Sequence, residues 1–251
     1  MNSLDAPSGE PVLFGQQRLH GMLCLPAGEP RARVLIIPPL FEEKRCAHRA
    51  LTTCARALAI AGAAVFLPDL TGTGNSGGAL TEISLHQWLD DVRAAEALLR
   101  ERAAAPLCLI GCRAGALPAV RAGLTAQRLL LWQPVISCKS HLRQLRTRRL
   151  IQDSITGKAS PVGPYEIEGQ ELSAAFFAEM EALSLPDAPP PGEIRLLQCS
   201  FNTTLLTEYA RLVARWVGVR TRCLVAESCW NSHTPGAYAD LAAVLVEEAL
   251  C

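Results

Sequence analysis

The sequence carries no excess charge of either sign: 24 Lys and Arg stand against 24 Asp and Glu, for a net charge of zero with His neutral. A nucleic-acid groove or a patch for anionic lipid needs a basic surplus, so composition supports neither partner. Long apolar runs are also missing. Pro, Gly or a charged residue interrupts each one within about ten residues, where a bilayer span needs about 20. The stretch Met1–Pro11 is polar, contains Asp5 and Glu10, and lacks the basic start and apolar run of a secretory signal. These absences lead us to expect a soluble cytoplasmic protein with no membrane span. There are ten cysteines but no C-x-x-C pair. Without a secretory context they read as reduced thiols, not disulfides or metal ligands. Cys24, Cys108, Cys199 and Cys223 fall inside apolar strand-like runs, where cysteine acts as a small hydrophobe. No internal repeat is visible.

What the chain has is a rhythm. At 251 residues and 49% hydrophobic content it can bury one sizeable core. Val12–Pro26 reads as an opening antiparallel hairpin. Short Val/Ile/Leu-rich runs then recur at Val34–Ile37, Ala63–Leu67, Leu107–Ile110, Arg128–Trp132, Ile194–Gln198 and Arg222–Val225. Helical patterns separate most of them, at Ala47–Ala61, Ser84–Arg102, Ala114–Leu124, Thr204–Trp216 and Pro235–Leu250. Strand alternating with helix implies βαβ units and a mostly parallel sheet covered on both faces. Ser84 is placed to cap its helix, and Pro235 suits a first helical turn. The rhythm breaks at residues 137–191, which start basic (Lys139, Arg143, Arg146, Arg148, Arg149), pass a Gly/Pro-rich stretch and end in a helical pattern with Phe176, Phe177 and Met180 on one side. We read one α/β domain over 1–251, with 137–191 inserted as a cap or lid.

Two glycine patterns carry chemistry. Gly72-Thr73-Gly74-Asn75-Ser76-Gly77 matches G-x-G-x-x-G after a strand, but no helix opens within it, and Asp90 and Asp91 fall inside a helix where a ribose-binding acid would be needed at a strand end. Read from Asp69, it is instead a tight loop in which glycine permits positive φ. The second is Gly111-Cys112-Arg113-Ala114-Gly115, between an apolar run and an alanine-rich segment. It has the outline of the nucleophile elbow G-x-S-x-G, with Arg113 at the serine position.

The chain resembles the α/β-hydrolase superfamily, and more closely the second type of exosortase A system-associated hydrolase. The resemblance is carried by "IPPLFEEKRCAHRAL", "LPDLTGTGNSGG" with "WLDD", "GCRAGAL", "LWQPVISCKSHLRQLRTRRL", "IEGQELS" and "CWNSHTP", which cover most of residues 34–235. It implies an α/β-hydrolase fold and a bacterial protein encoded with machinery for sorting surface proteins and making exopolysaccharide.

A hydrolase of that kind needs a nucleophile, a base, an orienting acid and an oxyanion hole. Arg113 cannot supply the first, because guanidinium stays protonated. His233 stands where the base belongs. The acid position offers only Ser200 and Asn202. Pro38 and Pro39 have no N–H, leaving Leu40 and Phe41, with Ala114, as oxyanion donors. Cys112, Ser76 and Cys229 are alternative nucleophiles, although a small apolar filler suits Cys112 better. Arg113 could instead bind a carboxylate, phosphate or sulfate, or pair internally with Glu42 or Glu43 in the loop facing it, with Trp230 lining the pocket. His20, His48, His86 and His141 read as structural, Asp90 and Asp91 as local caps or pairs, and the arginines from 143 to 149 as a solvated face. Beside a dinucleotide oxidoreductase, which rests on the glycine loop alone, two functions stay open: a hydrolase or acyl transferase acting on an ester or thioester, and a pseudoenzyme holding an anionic small molecule, acyl ligand or partner. Neither implies a metal or cofactor.

Overall fold

The computed structural model describes residues 9–16, 18–157, 163–231 and 238–251. The chain opens with β1 (Glu10–Phe14), β2 (Leu19–Cys24) and β3 (Ala32–Ile37), followed by α1 (Phe41–Ile60), β4 (Ala63–Pro68), α2 (Leu85–Arg102) and β5 (Leu107–Cys112). A 3₁₀ turn at Arg113–Gly115 leads into α3 (Ala116–Arg121) and β6 (Arg128–Trp132). Next come α4 (Cys138–Thr156), the small hairpin β7 (Glu166–Ile167) and β8 (Gln170–Glu171), and α5 (Ala174–Ala182). The chain then completes β9 (Glu193–Ser200), α6 (Thr207–Arg215), β10 (Arg220–Val225) and α7 (Ala239–Leu250).

Eight strands form one sheet in the order β1-β2-β4-β3-β5-β6-β9-β10. Only the pairings β1–β2 and β2–β4 are antiparallel, and the rest are parallel. Every residue of β4 and β5 is buried, as a strand covered on both faces requires. On one face α1 packs against α7, over a core that includes Val34, Ile36, Ile110 and Leu130. The other face carries Leu35, Ile37, Leu109 and Leu131 with residues of α2, α3, α5 and α6. Alternation within β3, β5 and β6 assigns each side chain to one layer. Among the described residues no helix is long and apolar enough to cross a membrane.

Ser84 caps α2, its hydroxyl accepting from the Gln87 amide. Pro235 lies outside the described residues. Two helices depart from expectation. α1 begins at Phe41, six residues before the alanine-rich pattern, so Glu42 and Glu43 sit in its first turn and not in a loop. Its N-cap is Leu40, which has no capping side chain, so the local start signal is absent. The cap comes from Glu168, 126 residues away, whose carboxylate accepts from the Glu42 amide. Residues 138–156 form one long helix, α4, where the sequence showed only a basic stretch. Its arginines are not a plain solvated face. Arg146 lies 4.5 Å over the Phe177 ring and donates to the Pro164 carbonyl, Arg148 pairs with Glu168, and Arg149 pairs with Asp153. In α5, Phe176, Phe177 and Met180 are buried, and Phe176 meets Trp88 of α2 edge to face at 4.9 Å.

At the turn after β5 two glycines permit close packing. A Cβ on Gly115 would stand 2.1 Å from the Pro38 carbonyl oxygen, and one on Gly111 would stand 2.5 Å from the Ala116 Cα. Gly115 has ordinary helical dihedrals, so its requirement is purely steric. Gly123, with φ +69° and nothing within 4 Å of an added Cβ, is required only by conformation. Gly115→Ala should therefore cost about 3 kcal/mol or more, and Gly123→Ala about 1–2 kcal/mol. Urea midpoints of the two variants will order them.

Candidate functional site

The C-terminal ends of β3, β5 and β6 hold three non-glycine residues with positive φ: Phe41 at 54°, Arg113 at 53° and Gln133 at 46°. Left-handed backbone at such residues costs on the order of 1–3 kcal/mol each and persists only where surrounding contacts impose it. Arg113 thus keeps the sharp strand-to-helix turn of an elbow, with a guanidinium on it.

That guanidinium is largely covered, its side chain 14% exposed, and well bonded. Its Nε donates to Glu43 Oε2 at 3.1 Å and its Nη2 to Glu43 Oε1 at 3.0 Å, a two-pronged ion pair. Nη1 donates to the Gln133 carbonyl at 3.2 Å, and Trp230 covers the group with its ring centroid 5.0 Å from Cζ. The Glu43 side chain is only 2% exposed. Burial works against the charge of Arg113, but Glu43 more than offsets it and holds the guanidinium above its ordinary range. Gln133 is tied in turn, since its side-chain oxygen accepts from the Cys199 amide at 2.7 Å. Tyr209 of α6 donates to the Pro134 carbonyl at 2.9 Å. Glu42 points elsewhere, to Arg45 on its own helix.

His141, expected to be a scattered structural residue, belongs to this cluster. Its Nε2 lies 3.6 Å from Glu43 Oε2, too long for a hydrogen bond, and has no hydrogen-bond partner among the described residues. Burial, reinforced by the charges of Arg113 and Arg148, pulls its pKa down to about 3, so the ring is neutral near pH 7 and the contact is not an ion pair. Nothing in the sequence marked His141, because α4 itself was not legible. The same holds for Gln133 and for the Arg148–Glu168 pair, whose guanidinium also donates to Asn231 Oδ1 at 3.0 Å. That pair joins α4 and the β7–β8 hairpin to the start of α1 and to the loop carrying Trp230.

The remaining expected residues divide clearly. His233 lies outside the described residues. Leu40, Phe41 and Ala114 are buried beside the turn. After β9, Ser200 donates to the Asn202 carbonyl and Asn202 accepts from the Thr204 amide, a self-contained turn with no carboxylate. Burial pushes the Cys112 thiol well above its ordinary pKa and the Cys229 thiol up to about 12, which removes thiolate character from both. Ser76 accepts from the His20 amide and donates to the Asp69 carbonyl, and the Asp69 carboxylate accepts from the Asn75 amide and pairs with Lys44. The glycine loop is thus bonded to itself, and α2 starts only at Leu85. Asp90 pairs locally with Arg93, whereas Asp91 is buried and accepts from the Thr71 amide across the loop. Among the described residues no group of three or more His, Cys, Asp or Glu could hold a metal ion.

Two predictions follow from this cluster. Glu43→Gln or Arg113→Met alone leaves a buried charge unpaired and should cost about 3–5 kcal/mol. The double variant should lose less than the sum, with the coupling read by denaturant melts in a double-mutant cycle. The second concerns pH. The folded pKa of His141 lies below its ordinary 6.5, so the unfolded chain binds more protons between those values. Its contribution is complete above pH 6.5 and is lost as pH falls towards 3, with a slope of up to about 1.4 kcal/mol per pH unit. His141→Asn should flatten that limb of the stability profile.

The sequence matches no family model and no curated protein. Solved structures do match. Est1E from Butyrivibrio proteoclasticus is 13% identical with a TM-score of 0.66, over 96% of this chain and 97% of that one. An α/β serine hydrolase without lid from Xanthomonas campestris is 16% identical with a TM-score of 0.60, over 99% and 94%. The mouse α/β-hydrolase domain-containing protein 10 is 19% identical with a TM-score of 0.54, over 88% and 89%. Strand order, helix placement and these likenesses agree: the chain has the α/β-hydrolase fold.

Proposed function

We propose that this chain is a pseudoenzyme of the α/β-hydrolase superfamily, a small-molecule-binding protein whose hydrolytic centre is closed. One observation carries the reading: the nucleophile position holds Arg113, locked by both oxygens of Glu43. A guanidinium cannot attack a carbonyl, and this one is already committed to a carboxylate. The quoted motifs further support a bacterial member of the exosortase A system-associated hydrolases of the second type, working beside surface-protein sorting and exopolysaccharide synthesis. Residues 137–191 are proposed as its cap, because they bring His141 to Glu43 and Glu168 to the α1 N-terminus.

The competing function, hydrolysis or acyl transfer on an ester or thioester, is favoured by the elbow geometry and by the pocket beside it. Against it, the elbow position holds Arg113, and the neighbouring Cys112 and Cys229 are buried thiols. We expect no turnover of p-nitrophenyl acyl esters or acyl-CoA and no fluorophosphonate labelling. Arg113→Ser should remain nearly inert, since loss of the orienting acid alone costs about 10⁴-fold in serine proteases. Steady turnover by the natural chain, or brisk turnover by Arg113→Ser, would overturn the pseudoenzyme reading.

A further inference from the structure

Exposed apolar side chains are ordinary when scattered singly, but not when gathered on one element. On α4, Leu150 is 61% exposed, Ile151 56% and Ile155 75%, three large apolar residues within six positions. Lys139, Arg143, Thr147, Ile151 and Ile155 follow one another at four-residue spacing and are all exposed, so they form one continuous stripe on the helix. The stripe is cationic towards its N-terminal end and apolar towards its C-terminal end. We propose that it docks α4 on an anionic phospholipid surface, with the helix lying along the bilayer and not through it. This goes beyond the binding function proposed above and is independent of it.

Charge selects the kind of surface. The whole chain has no net charge, but α4 sets five Lys and Arg residues against one acid. That acid, Asp153, is mostly covered and pairs with Arg149. Arg146, Arg148 and Arg149 are held by Pro164, Glu168 and Asp153, and they fix the helix to the domain. Lys139 and Arg143 make no ion pair among the described residues, so both cations are available at the head of the stripe. Leu142 is buried, and the nine residues from it to Ile151 turn the helix through about two and a half turns. Ile151 therefore projects from the side of α4 opposite the core.

The form of the face selects lipid over protein. A docked helix needs a groove between two elements. The hollow along the stripe is lined by α4 alone, at Arg143, Gln144, Thr147, Arg148, Ile151 and Gln152. A second copy fits poorly in either direction: parallel stripes set Arg143 against Arg143, and antiparallel ones set it against isoleucine. A bilayer matches both ends of the stripe, since anionic headgroups meet the cations and the acyl boundary takes the apolar side chains. Tyr165, 39% exposed, follows Pro164, which borders the same hollow as Leu150. It adds a ring of the kind enriched at membrane interfaces.

Co-sedimentation of the full chain with vesicles tests the surface, using phosphatidylcholine alone and phosphatidylcholine with about one-third phosphatidylserine. Binding should require the anionic lipid and weaken as salt rises. Lys139→Gln with Arg143→Gln should reduce it about tenfold or more, and Ile151→Ser with Ile155→Ser by about the same factor. Ile60→Ser, which removes a similarly exposed residue at the C-terminal end of α1, should leave it unchanged. All these side chains are exposed, so thermal melts of the variants should move little. No vesicle binding, or binding that either double variant leaves unchanged, would overturn the proposal. Dimerisation in sedimentation velocity, without vesicle binding and abolished by Ile151→Ser with Ile155→Ser, would assign the stripe to a second copy instead. Saturable binding of a Glu- and Leu-rich helical peptide in place of vesicles would assign it to a protein partner. None of these results touches the pseudoenzyme reading, which turnover and fluorophosphonate labelling decide separately.

Discussion

The Arg113–Glu43 ion pair is the interaction on which the candidate site depends. It joins the turn after β5 to the first turn of α1, two segments 70 residues apart in the chain. A guanidinium can be buried at an elbow only if a carboxylate meets it with both oxygens and the other donors find acceptors. The surroundings meet those terms. Gln133 presents its carbonyl from a left-handed backbone, Trp230 covers the cation, and Glu43 reaches inward because α1 starts early enough to carry it. The positive φ of Arg113 belongs to the tight turn from which its guanidinium reaches Glu43.

A second arginine–glutamate contact, Arg148 with Glu168, lies on the same first turn of α1. Glu168 closes the N-terminus of that helix, and Arg148 ties it to Asn231 near Trp230. Segment 137–191 is therefore bound to the sheet edge by polar contacts as well as by the buried Phe176 and Phe177. A cavity between α4 and α6 is lined by Arg113 together with Ser140 and Leu212.

The periodic elements were legible because their physics is local. Fully apolar runs such as Ala63–Leu67 and Leu107–Ile110 have one stable use, as strands buried on both faces, and Ser84 announces its helix by side-chain chemistry alone. Gly111 and Gly115 likewise betrayed the tight turn, and arginine between them was visible at once. α4 was not legible, since its five basic residues are interleaved with its apolar ones and blur the helical periodicity. The true start of α1 was hidden for a different reason: its cap is a carboxylate from a distant hairpin.

By itself, the sequence determined the alternation of strand and helix, the tight glycine turn, and the arginine at its centre, each a matter of neighbouring residues or of residue type. Only the tertiary structure decided that Glu43 and not Glu42 pairs with Arg113, and that His141 stands beside them. Glu42 and Glu43 are adjacent and chemically alike, and successive helical residues project about 100° apart. Which of them faces the elbow depends on the helical phase of α1 against β5, which packing sets and no local pattern records. The position of His141 is governed by the same kind of constraint, because α4 reaches Glu43 only after the sheet has brought β3, β5 and β6 side by side.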